Sequence, residues 1–138
     1  MKIERTLIII KPDGVTRGLV GEVLVRVERK GYRIERIKSL TMDKDFAETH
    51  YVEHKGEPYY TDLIDYITEG PVVVAVIVGE NPIDNLRKIM GPTDPLDATA
   101  GSIRGSYATS VTRNLVHGSD SPESASREIA LFFPEMAD

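Results

Sequence analysis

Between Val72 and Val78 every residue except Ala75 is β-branched, and none is polar. A strand that is apolar at odd and even positions alike has no face to give to water, so it must be covered on both sides. This is the longest apolar run in the chain, and it is far short of the roughly 20 residues that span a bilayer. It therefore reads as the central strand of a sheet, and the remaining segments have to supply its neighbours and its cover.

Thr6 to Ile10 is a second apolar run that stops at Pro12-Asp13-Gly14, a buried strand ending in a turn. Leu19, Val20, Val23, Leu24 and Val27 recur three and four apart and form one face of a helix that ends at Gly31. Tyr32 to Met42 sets Ile34 and Ile37 among charges and reads as a strand. Asp43 to His54 and Pro58 to Glu69 read as helices. In the second, Tyr60, Leu63, Ile64 and Ile67 share a face, and Pro58 takes the first helical position. Asn81-Pro82 reads as an N-cap and a first-turn proline, opening a helix that carries Ile83, Leu86 and Ile89/Met90. Gly91 to Gly105 is poorly periodic, and a loop of about 15 residues in a compact domain is usually functional. Ser106 to Val111 reads as a fourth strand, and Ser121-Pro122-Glu123 opens a last helix with Ala125, Ile129 and Phe132. The order β-α-β-α-α-β-α-β-α predicts an α+β, ferredoxin-like βαββαβ sandwich, a four-stranded antiparallel sheet with helices on one face. At 138 residues, without repeat or linker, the chain is expected to be one domain over residues 1–138.

Several function classes fall away. There is no cysteine, so there is no disulfide framework, thiolate zinc site or thiol nucleophile. The 17 Lys and Arg against 22 Asp and Glu leave a net charge of −5. Nucleic acid is not an expected partner on that balance, whereas a small phosphorylated ligand needs only a few local cations. The opening Met-Lys-Ile-Glu-Arg has no signal-like apolar stretch. A soluble cytoplasmic protein with no membrane partner is the expectation. The phosphate loop G-x-x-x-x-G-K-[ST], the motif G-x-G-x-x-G and the protein-kinase signatures are all absent. Phosphate chemistry here would have to run another way.

Arg113-Asn114-Leu115-Val116-His117-Gly118-Ser119-Asp120-Ser121 offers one. On this reading His117 lies on a loop between the fourth strand and the last helix. An unprotonated imidazole is a nucleophile, and phosphoryl transfer asks mainly for positioning and charge stabilisation. One ring nitrogen would attack while an acceptor holds the other, and Glu128 on the last helix is a candidate for that acceptor. Taken by itself, His117 reads equally well as a surface loop histidine. Lys11 and Arg104 stand at turns beside strands, where phosphates often bind. Arg87 also fits a solvated helix face, and Tyr59 and Leu63, at helical spacing, fit plain packing.

The segment Asn114-Leu115-Val116-His117-Gly118-Ser119-Asp120 resembles the signature N-x-x-H-[GA]-S-D of the nucleoside diphosphate kinases. Arg5 to Gly14 resembles that family's opening strand and lysine. His50-Tyr51 followed by Pro58-Tyr59-Tyr60 resembles its H-Y…P-F-F segment, and Gly70-Pro71-Val72-Val73 its G-P-V-V strand start. Gly91-Pro92-Thr93-Asp94-Pro95 and Gly101-Ser102-Ile103-Arg104-Gly105 resemble G-x-T-[ND]-P and G-[TS]-I-R-G. The likeness runs from about Glu4 to Phe133. It implies transfer of the γ-phosphate of a nucleoside triphosphate to a nucleoside diphosphate, in a ping-pong cycle through phosphohistidine at His117. It also implies Glu128 and Ser119 as supports of His117, and Lys11, Arg87, Thr93 and Arg104 on the phosphates. Asn114 would lie at the sugar and phosphate end, and Tyr51 would pack and hydrogen-bond beside Lys11 and His117. Tyr59 and Val111 would sandwich the base, with Leu63 close by. Asp120 would help to hold Mg²⁺, and the assembly would be a homo-oligomer, a tetramer or hexamer built from dimers. Two departures stand out: Tyr59 where the family has Phe, and Gly79-Glu80 where it often has E-G.

Two rival readings remain. His50-Tyr51-Val52-Glu53-His54 fits H-x-x-E-H, a zinc-peptidase pattern that needs both histidines one turn apart on a helix. A non-catalytic nucleotide-binding or scaffold protein of the same fold is the other. The presence of His117, Lys11, Arg87, Arg104, Asn114 and Glu128 together argues against it.

Overall fold

The valine-rich segment forms β3 (Val72–Glu80) and is paired along both edges. On one side lies β1 (Ile3–Ile10), in antiparallel register from Ile3 opposite Glu80 to Ile10 opposite Val73. On the other lies β2 (Arg33–Leu40). A short β4 (Val116–Gly118) closes the far edge of β1, so the sheet order is β2-β3-β1-β4, all antiparallel. This computed structural model describes residues 3–137. The helices are α1 (Pro12–Thr16), α2 (Val20–Arg29), α3 (Lys44–His50), α4 (Tyr60–Ile67), α5 (Pro82–Met90), α6 (Ile103–Tyr107) and α7 (Pro122–Phe132). The ferredoxin-like βαββαβ plan is β1-α2-β2-β3-α5-β4, with α3 and α4 inserted between β2 and β3. Among the described residues no helix is long and apolar enough to cross a membrane.

The helices cover both faces of the sheet, not one as the element order suggested. Leu7, Ile9, Val72, Val74 and Val76 pack against α3, α4 and α7 through Ala47, Leu63, Ile64, Ile67, Ile129 and Phe132. Ile8, Ile10, Ala75 and Ile77 pack on the opposite face against α2 and α5 through Val23, Val27, Leu86 and Met90. The reason is already in the strands: β1 and β3 alternate apolar with apolar. Leaving either face wet would forfeit about 1.5–3 kcal/mol for each large side chain exposed.

Other expectations shift locally. The helix expected to run to His54 stops at His50, and Val52–His54 is a separate 3₁₀ turn. Pro58 falls in the turn before α4, not at its first position. Asn81 does sit at the start of α5, but in the left-handed region (φ 48°) and without a side-chain cap. The larger correction concerns the fourth strand. Ser106 to Val111 is not a strand; its first residues end α6, which Ser102 caps by accepting from the Gly105 N–H at 3.1 Å. The strand lies further on, at Val116–Gly118, so His117 is in the sheet and not on a loop.

Candidate active site

Strand register places His117. It stands directly opposite Ile9 in the antiparallel pair, so both side chains point to the same face. That face is roofed by α7, and Glu128 hangs from α7 toward the strand. His117 Nε2 and Glu128 Oε1 are 2.9 Å apart, and Ser119 Oγ donates to the same oxygen at 2.6 Å. Burial alone would raise the Glu128 carboxyl. The hydrogen bonds from His117 and Ser119 and the neighbouring charge outweigh it and hold the group down at about 2. An ionised carboxylate can only accept, so Nε2 is the donor, and in a neutral ring the lone pair is then on Nδ1.

Leu115 sets up this strand. It is fully buried and has a φ of 76°, a conformation that costs a non-glycine residue about 1–3 kcal/mol. Its carbonyl accepts from the Lys11 backbone N–H at 2.8 Å, which ties β4 to the start of α1. Gly14 makes that approach possible: a Cβ there would stand 2.9 Å from Ile10 Cγ2 and 3.1 Å from the Leu115 oxygen.

Around His117 opens a cavity of about 470 Å³. All the residues singled out in the sequence line it except Ser119, which sits behind Glu128. Lys11 is buried and donates to Asn114 Oδ1 at 2.8 Å, while Asn114 Nδ2 donates to the Thr93 carbonyl at 3.2 Å. Burial first, and then the Arg104 charge, lower the Lys11 ammonium to about 7, with Asp13 opposing. Arg104 lies inside α6. Its guanidinium donates to the carbonyls of Asn114 (3.3 Å), Gly91 (2.6 Å) and Val116 (2.6 Å). Burial and then Arg87 lower it to about 10, still charged at neutral pH. Arg87 donates to the Gly118 carbonyl at 3.1 Å. At the mouth, Tyr59 and Val111 are exposed, with Leu63 buried beneath. Tyr59 Oη pairs with His54 Nδ1 at 2.7 Å. Asp120 is exposed on the rim.

One expectation fails in detail. Tyr51 packs in the wall, but its buried hydroxyl has no hydrogen-bond partner among the described residues. Sequence reasoning also passed over Ser124 and Arg127, which line the cavity from α7. Ser124 stands four residues before Glu128 and Arg127 directly beside it, positions that could have flagged them. The H-x-x-E-H reading loses its geometry, because α3 ends at His50 and His54 turns to Tyr59.

Arg104 ties together the carbonyls of three residues, whereas Lys11 donates to the Asn114 side chain, so the two should separate in stability. Arg104→Leu is expected to cost about 2–4 kcal/mol, since it strips charged donors from three carbonyls. Lys11→Met is expected to cost less than about 1 kcal/mol below pH 7, since it removes a buried cation whose ionised form the fold disfavours. Urea unfolding of the two nucleotide-free variants at pH 6 checks the ordering.

Residues 4–137 match the family described as Nucleoside diphosphate kinase. The chain belongs to that family. A nucleoside diphosphate kinase of Thermomicrobium roseum is 56% identical over 133 residues, 96% of this chain and 89% of that protein. One of Frankia casuarinae is 53% identical over 137 residues, 99% of this chain and all of that protein. Among solved structures, the Aquifex aeolicus nucleoside diphosphate kinase superposes with a TM-score of 0.93 at 39% identity, covering 96% of each chain. The Halobacterium salinarum enzyme, solved in complex with CDP, gives 0.93 at 42%, covering 96% of this chain and 88% of that one. Membership makes the chain an enzyme, a phosphotransferase with nucleoside diphosphate kinase activity.

Proposed function

We propose that residues 1–138 act as one domain that passes the γ-phosphate of a nucleoside triphosphate, typically ATP, to a nucleoside diphosphate through His117, by a ping-pong cycle. The observation that carries this is the His117–Glu128 pair. An ionised Glu128 fixes a hydrogen on Nε2, so that in the neutral ring the nucleophilic lone pair is on Nδ1. Nδ1 attacks the γ-phosphorus, the bond to the bridging oxygen breaks, and the diphosphate leaves with that electron pair. Glu128, braced by Ser119, meets the positive charge that develops on the ring. A second diphosphate then attacks the phosphohistidine from the same pocket. Lys11, Arg87 and Arg104, with Thr93 and Asn114, come from separate stretches of the chain to line the cavity where the phosphates would lie. There they would stabilise charge on the transferring group.

Asp120 suits Mg²⁺: it is an exposed carboxylate at the rim, and that ion keeps several waters and leans on substrate phosphates. Bound there with the nucleotide, the ion would neutralise charge on the phosphate oxygens. The CDP in the Halobacterium structure supports a nucleoside diphosphate as ligand. A homo-oligomeric, cytoplasmic enzyme completes the reading. The test is a pulse of γ-labelled ATP with Mg²⁺ on the purified protein. Acid-labile, base-stable label on His117 that is discharged by GDP as labelled GTP supports it. Bound nucleotide with no protein label refutes it.

Base selection should be weak, because Tyr59 and Val111 offer surfaces and no base-edge donors. The Tyr59 hydroxyl is already engaged by His54. Tyr59→Phe is therefore expected to change KM for any nucleotide less than about threefold, whereas Tyr59→Ala should raise it about tenfold through lost stacking. Steady-state KM values for adenine, guanine and cytosine diphosphates decide between these.

A further inference from the structure

His50, His117 and Glu128 each offer one ligand atom, and these atoms all lie within 4.8 Å of one another. His50 is the unusual member. It sits at the end of α3, 3% exposed, with its ring against Tyr51 (4.5 Å), His117 (5.1 Å) and Phe132 (5.3 Å). Neither ring nitrogen has a hydrogen-bond partner among the described residues. A buried, unpaired polar group costs about 1–3 kcal/mol, and an aliphatic side chain would fill the same aromatic niche without that penalty. The phosphotransfer chemistry described above makes no use of His50.

We propose that the nucleotide-free protein binds a Zn²⁺ ion, or another first-row dication that favours imidazole, between His50, His117 and Glu128, and that the ion blocks His117. Two imidazoles and a carboxylate are a donor set that suits zinc, with the fourth, cavity-facing position left to water. Mg²⁺ prefers oxygen and does not compete for two nitrogens. Ligand atoms bound to one tetrahedral zinc at about 2.0–2.2 Å stand roughly 3.3–3.6 Å apart, so His50 must draw in by up to about 1 Å while His117 Nε2 and Glu128 Oε1, now 2.9 Å apart, part slightly. Charge sets a limit on affinity. Glu128 attracts the ion, but Arg127 Nη2 lies 3.7 Å from Glu128 Oε2, and Lys11 and Arg87 line the same cavity.

The proton balance is closed. His117 Nε2 gives up its hydrogen to Nδ1 of the same ring, and the Nε2 lone pair and the carboxylate oxygen go to the metal. No proton leaves the site. Nδ1 then carries hydrogen and has no lone pair for phosphorus. This blockade rests on the proposed role of His117; the metal binding itself does not.

The test uses the full, untagged chain in buffer free of chelator and Mg²⁺, with Co²⁺ as the spectroscopic probe and Zn²⁺ calorimetry beside it. The intense visible absorption of four-coordinate Co²⁺, displaced by one Zn²⁺ per chain, is expected. His50→Leu and Glu128→Gln should each weaken Zn²⁺ binding at least about tenfold. Wild-type Zn²⁺ affinity in folded His50→Leu, or only the faint absorption of octahedral Co²⁺, overturns the site. If His50→Leu does not fold, judged by circular dichroism, Glu128→Gln carries the same comparison. Labelling by γ-labelled ATP, with Mg²⁺ restored in excess and with or without Zn²⁺, then tests the blockade. Label undiminished in the zinc-loaded protein refutes it. Absence of label even without zinc refutes the nucleophile and leaves the metal site standing on its spectrum.

Discussion

His117→Ala should form no phosphoenzyme and lose turnover by about 10⁴-fold or more, the scale on which removal of a covalent nucleophile acts. Nucleotide affinity should change less than about threefold. The two expectations separate because the groups that bind are held by other parts of the chain. Lys11 is fixed by Asn114, Arg104 by three carbonyls, and Arg87 by the Gly118 carbonyl. None of these contacts passes through the imidazole. The ring is partly exposed to the cavity, so its removal leaves a space that water can fill. Glu128 keeps its bond from Ser119 and its neighbour Arg127. Rapid-quench labelling with γ-labelled ATP and calorimetry with ADP measure the two quantities on one preparation. Residual turnover near the wild-type rate would sink the covalent mechanism. Lost affinity together with lost turnover would mean that the ring binds rather than reacts.

Much of this was legible in the sequence, and for physical reasons. The β-branched run at Val72–Val78 has one structural solution, a doubly covered central strand, and it became β3. The helix faces built on Val23 and Val27, and on Leu63, Ile64 and Ile67, met the cores as spaced. The last strand was not legible. Three residues carry no period of their own, and Val116–Gly118 is held by pairing with β1 and by the strained Leu115 before it. Tyr107 and Val111 imitated the pattern more convincingly, yet capping by Ser102 drew the first of them into α6. Glu128 was visible as a partner for His117, but Arg104 was read as a turn residue. Its grip on three carbonyls depends on tertiary closure that no local pattern records. His50 entered only within the H-Y segment and a zinc-peptidase pattern, because burial without a partner is a property of the fold and not of the residue.

That burial gives the second large effect, a loss of stability in acid. Burial first, and then the charges of His117, Arg127 and Lys11, lower His50 to about 3, with Glu128 pulling the other way. An ordinary imidazole titrates near about 6.5. The folded value lies below the unfolded one, so between pH 6.5 and 3 the unfolded chain binds the additional proton. The contribution of His50 is therefore whole above about pH 6.5 and is lost as the pH falls, with a limiting slope of about 1.4 kcal/mol per pH unit. Glu128, held at about 2 against an ordinary value of 4.5, acts with the same sign but only below about pH 4.5. The interval from 6.5 to 4.5 thus separates the two groups. Over it the wild-type protein should lose about 2–3 kcal/mol more than His50→Leu, which has no proton to take up. The difference between the two proteins is the measured quantity, so the titration of groups that do not interact with His50 cancels. Urea unfolding at half-unit steps of pH, without nucleotide or metal, provides it. Parallel curves would mean that His50 takes its proton inside the folded protein, and that the orphaned ring is reached by water.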